Sequence, residues 1–233
     1  MKLSAHRMRS CALSPSQQIE HTTLLLILQM VLFWIFGMHA YSEKFRFWEY
    51  AVSYLGALRT VNGHANTPSL IWFVTSMLIS AWFMHRMSVL NKNRQIVNGS
   101  IYQVLYTMGW IGSLIICCPK DISRPVHAMG AGLLVFSHVM LSLVRILAQG
   151  RLMKTHSTVT RLLLLLVPVL LYAYCWAFWI ESVVQVFQKL AFAALFYVEI
   201  ITTRERLVSR EERIFSLTPS HSPPSDNRIL GSR

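Results

Sequence analysis

Six long apolar runs constrain this chain more than any other feature. They read Thr22–Ala40, Pro68–Met87, Ile101–Cys118, Val126–Leu147, Leu162–Ile180 and Ser182–Thr202, with short basic or mixed polar segments between them. Each holds about 18 to 22 residues, which at ~1.5 Å per residue crosses a hydrocarbon core of roughly 30 Å. Backbone in lipid must satisfy its own hydrogen bonds, so each run is expected to be a helix. The expected fold class is therefore all-α: an integral membrane bundle of six transmembrane helices over 22–203. A polar segment, 1–21, precedes it and a basic tail, 204–233, follows.

Composition agrees with that solvent. Hydrophobic residues make up 54% of the chain and charged residues 14%, which excludes an ordinary soluble domain. The net charge of +12 is distributed by topology. With six spans both termini share one side, and that side carries sixteen Lys and Arg against five on the other, with Lys189 inside a span. This asymmetry places both termini in the cytoplasm, and its secondary effect is attraction to anionic lipid. A nucleic-acid surface needs a clustered basic patch with interleaved aromatics on a folded soluble face, and none is visible. The first run is too long for a signal-peptide core, and Met38, three residues before a notional cut after Ala40, is not small, so a retained first span is expected. The four cysteines, Cys11, Cys117, Cys118 and Cys175, form no disulfide framework and read as small packing residues.

The connection Tyr41–Thr67 is the longest between spans. Its first ten residues mix aromatics and charges in the manner of an interfacial helix. Thr67-Pro68 and Ser100 read as helix starts. Gly109, Gly112 and Ser113 in the third run, and Gly130 and Gly132 in the fourth, permit close helix approach. Pro168 lies within the fifth run, and Trp176 and Trp179 suit an aromatic belt at its outer end. Only Glu181 and its neighbours part the last two runs, so a tight helical hairpin is expected there. Beyond Thr202 an Arg/Glu segment is expected to continue as helix, and the Ser/Pro-rich residues from about Leu217 to be disordered.

Polar groups inside a bilayer are costly, which makes each a functional candidate. In the last run Glu181, Gln185, Gln188 and Glu199 keep near one face, with Lys189 beside them. The plainer reading of Lys189 is a stem that snorkels toward the outer interface. In the fourth run His127, His138 and Arg145 share a face, at the outer level, mid-membrane and the inner end respectively. Asp121, in the short outer connection before His127, is placed to orient that ring.

Ser53-Tyr-Leu-Gly, Asn66-Thr-Pro-Ser with Phe73, Pro119-x-Asp121, and His127-x-x-Gly130 with Phe136 together resemble a bacterial membrane family, the one catalogued as domain of unknown function 998. Gln188-Lys189 is similar to that family's acidic-or-amide residue followed by a basic one. The resemblance spans about residues 20–203 and implies six spans, a polar cluster near the outer face and a bacterial inner membrane. The plan is more distantly similar to the eukaryotic DRAM and Sfk-type proteins.

Three functions follow from these residues. In the first, Ser53, Asn66, Asp121, His127, Gln188 and Lys189 line an outward-facing pocket for a lipid headgroup or small anion, with membrane lipid as partner and no catalysis, cofactor or nucleic acid. In the second, His39, His85, His127 and His138 supply axial ligands for haem in an electron carrier. In the third, His127, Asp121, His64 and Glu49 hold a metal for hydrolysis, although no H-E-x-x-H spacing occurs. Protein partners are left open by the sequence.

Overall fold

A computed structural model describes residues 15–92, 99–150, 155–178 and 181–217. Among these residues six α-helices form: α1 (Pro15–His39), α2 (Thr67–Lys92), α3 (Gly99–Ile115), α4 (Arg124–Gly150), α5 (Thr155–Ala177) and α6 (Glu181–Leu217). Among the described residues there is no strand, only an isolated bridge between Arg59 and Ala65. Cys11, Trp179, the 93–98 connection and the Ser/Pro-rich tail lie outside the described residues.

Among the described residues five helices are long and apolar enough to cross a membrane: α1, α2, α4, α5 and α6. The chain is thus a multi-pass membrane protein. The remaining helix, α3, has 17 residues, about 25 Å at ~1.5 Å per residue, somewhat short of a full hydrocarbon core. The chain leaves the helix at Ile116 and turns through Cys118, where the apolar run had suggested three more helical residues. α1 begins at Pro15, seven residues ahead of its apolar run, and α6 continues well past Thr202 as the Arg/Glu pattern had indicated.

The faces turned outward are apolar, as a lipid solvent requires: Leu25, Leu28, Leu32 and Phe36 on α1, and Leu163, Val167, Leu170 and Tyr174 on α5, are all exposed. Buried positions are mixed. Gln29 of α1 donates from Nε2 to Ser80 Oγ of α2 at 2.6 Å, and Ser76 donates to Gln29 Oε1 at 3.3 Å. Ser88 of α2 lies 2.9 Å from Thr107 of α3. Such pairs fix helix neighbours where burying apolar surface provides little drive. α3 meets α4 through small residues: a Cβ on Gly112 would lie 2.7 Å from the backbone nitrogen of Leu134 and 2.9 Å from the carbonyl oxygen of Gly130.

The Tyr41–Thr67 connection differs from the expected interfacial helix. Residues 41–51 are turns and coil, followed by a short 3-10 helix, Val52–Gly56. The aromatics that suggested amphipathicity pack on one another instead: Tyr41 on Phe45, Phe45 on Tyr50, and Tyr50 on Tyr54, with centroids 5.2, 5.7 and 5.8 Å apart. Residues 59–65 fold back in a tight turn, with Gly63 at φ 91° supplying the left-handed backbone. Glu43 accepts from the Thr60 hydroxyl and, at 2.6 Å, from the Asn62 amide. The connection is a compact cap over one end of the bundle.

Candidate functional site

Three of the residues singled out from the sequence, Asp121, Gln188 and Lys189, attach this cap to the rest of the bundle. Asn66, fully buried, donates from Nδ2 to the carbonyls of Tyr54 (3.2 Å) and Ala57 (3.0 Å), closing the chain around the 3-10 helix. Asp121 is exposed, and its Oδ2 accepts the backbone N–H of Arg59 at 2.9 Å, which joins the α3–α4 connection to the cap. His127 is buried, stacked on Phe73, with Nδ1 2.8 Å from the carbonyl oxygen of Cys118. On α6, Gln188 Oε1 accepts the Val52 N–H at 3.3 Å, and buried Lys189 donates to the Tyr50 carbonyl with its ammonium 5.7 Å from the centre of the Phe47 ring. A lysine satisfied in this way has no need to snorkel. Beside Asp121, Lys120 lies over the Tyr54 ring, 2.8 Å from its centre. Burial, reinforced by Arg124 and opposed by Asp121, brings its ammonium down to about 8.

The groups offered for haem or metal do not converge. His39 and His85 are exposed, the latter edge-on to Trp110. His64 is exposed beside Glu43, at 3.8 Å, and Glu49 pairs with Arg46. Among the described residues no three His, Cys, Asp or Glu side chains gather as a metal site would require.

A different constellation lies inside the bundle. Glu199 of α6 is 1% exposed and stands between His138 and Arg145 of α4, each 3% exposed. His138 Nδ1 is 3.2 Å from both carboxylate oxygens, and Arg145 Nη1 is 3.5 Å from Oε1. Arg145 Nη2 donates to the Tyr106 hydroxyl of α3 at 2.7 Å and to Thr23 of α1 at 3.4 Å. Four helices therefore share one buried charge cluster. The common face of His138 and Arg145 follows from their spacing of seven residues, two turns of helix. Their pairing with Glu199 was not expected, because no local spacing encodes a contact between residues 61 apart.

Above the cluster, toward the cap, lies an apolar cavity lined by α1, α2, α4, α6 and the 3-10 helix. Ser53 and Gln188 mark its cap end, and His138 lines it deeper in the bundle. On α4 it runs from Ala131 to His138, about 10 Å along the helix axis. Its unfilled volume is about 590 Å³ counting its open mouth, with about 70 Å³ of inner room. Two buried polar atoms on lining residues have no hydrogen-bond partner among the described residues: Trp34 Nε1 and His138 Nε2. A carboxylate on Nδ1 with Nε2 open is the orienting half of a general base or of a ligand-binding imidazole. No described hydroxyl or thiol is hydrogen-bonded to that nitrogen. No family model matches this chain, and no curated protein or solved structure is similar to it.

Proposed function

We propose that the chain is a six-span membrane protein with both ends in the cytoplasm, and that it holds a lipid-class molecule in the cavity between the cap and His138. Counting α3 as a span rests on the apolar stretch that continues through Ile116–Cys118 and on its packing between α2 and α4. Orientation rests on charge: with Arg145 set aside as a buried group, fifteen Lys and Arg still fall on the cytoplasmic side against five outside. The resemblance to the family of unknown function 998 supports the same plan and a bacterial inner membrane.

The observation that carries the binding reading is an apolar cavity, open at its mouth, that contains an unpartnered buried imidazole nitrogen. Ser53 and Gln188 contribute to its cap end, Asp121 and Lys189 hold the cap over it, Asn66 braces the cap from within, and His127 ties the α3–α4 connection to α4. Native mass spectrometry of protein released in mild detergent is expected to retain a lipid-sized mass that is lost when the cavity is filled by Val135→Trp. An adduct unaffected by that substitution, or no adduct at all, removes the reading. Reporter fusions at the two ends are expected to report the same compartment, and opposite compartments rule out an even number of spans.

A further inference from the structure

Resting on that reading, we infer that the bound molecule is an uncharged amphiphile bearing a hydroxyl group, and that it enters hydroxyl-first to meet His138 and Trp34. The two unpartnered atoms define the complement. A carboxylate only accepts, so with Nδ1 facing both oxygens of Glu199 the proton of a neutral His138 ring lies on Nδ1. Nε2 then presents a lone pair and requires a donor. Trp34 Nε1 is an N–H that only donates and requires an acceptor. A hydroxyl is the simplest neutral group that is both, accepting from the indole while donating to the imidazole.

Charge narrows the choice further. Glu199 is balanced by Arg145, whose second nitrogen is already committed to Tyr106 and Thr23. Among the described residues no Lys or Arg lines the cavity, so an anionic head brought to His138 meets a lone pair and loses its hydration without recompense. No carboxylate among the described residues lines it either, so an ammonium head is equally uncompensated. The remaining walls are Met, Phe, Leu, Ile, Val and Ala side chains, which suit a hydrocarbon body. Along α6 the lining extends from Gln188 to Phe196, about 12 Å of helix. A longer chain must continue through the mouth.

The test uses full-length protein in nanodiscs with a diazirine-bearing hexadecanol as photoprobe, and with hexadecanol, palmitate and hexadecane as competitors. The probe is expected to label α4 or α6 at cavity residues and to be displaced by hexadecanol but not by equal palmitate or hexadecane. Trp34→Phe keeps an aromatic ring, removes the N–H and leaves the charge cluster untouched. It is expected to lower labelling by about three- to tenfold, the worth of one hydrogen bond. His138→Phe is expected to abolish displacement by hexadecanol. Because it also strips Glu199 of a partner, Trp34→Phe alone decides the question if the His138 variant misfolds. Displacement by palmitate or hexadecane as strong as by hexadecanol, or labelling indifferent to Trp34→Phe, overturns the hydroxyl assignment. If Val135→Trp still blocks labelling in that case, cavity binding itself stands. Labelling that survives Val135→Trp, or that falls only outside the cavity, defeats both.

Discussion

Glu199 is a carboxylate enclosed by protein within a membrane helix, and its cost is offset only while His138 and Arg145 face it. Removing one member of such a group leaves buried charge uncompensated, whereas removing the ion pair together does not. Glu199→Ala is accordingly expected to lose about 3–5 kcal/mol of stability, read as a lowered melting temperature in detergent. Glu199→Met combined with Arg145→Met is expected to lose less than Glu199→Met alone. Outside the membrane, Lys120 titrates near 8 in the folded chain against an ordinary value of 10.5. Below about 8 the ammonium is charged in both folded and unfolded states and its desolvation weakens the cap in full. As pH rises from about 8 toward 10.5 the unfolded chain binds more protons, so that penalty is relieved and stability increases. Amine acylation of Lys120 is expected to show a midpoint near pH 8. Helical spacing alone discloses that His138 and Arg145 share a face. It does not disclose Glu199 as their partner, since that contact is made by the packing of α4 on α6.

Among the elements, α3 and α4 are joined by absence of side chain. A methyl group at Gly112 collides with backbone of α4, which cannot move aside as a flexible side chain can, while one at Gly132 meets open space. Gly112→Ala is expected to cost about 1–3 kcal/mol by overpacking, and Gly132→Ala to be neutral or stabilising by up to about 1 kcal/mol, the helix preference for Ala. The two melting temperatures in detergent therefore move apart, and equal shifts contradict the close α3–α4 approach. Hydropathy reveals the helices because lipid imposes one rule on every outward face. It misjudges the 41–50 segment because aromatics next to charges look alike whether they lie on a membrane or on each other, as Tyr41, Phe45, Tyr50 and Tyr54 do. The polar residues at the cap pose the same ambiguity: Asn66 and Lys189 are typical ligand-binding types, yet here both satisfy backbone carbonyls of the cap.

For the molecule as a whole, the cap and the charge cluster lie at different depths and are reached by one helix. Gln188 and Lys189 hold Val52 and Tyr50, and Glu199, ten residues on from Lys189, engages His138 and Arg145 about 15 Å deeper. Lys189→Met is expected to quicken amide exchange across residues 50–56 while leaving α1 and α2 protected, and unchanged exchange there shows that the anchor contributes nothing. Because α6 is one unbroken rod between those two levels, it behaves as a bolt thrown into two catches. Sliding it far enough to free the lid withdraws its acidic tooth from the imidazole and guanidinium below, so the vestibule cannot be unlatched without also unsettling the ionic lock.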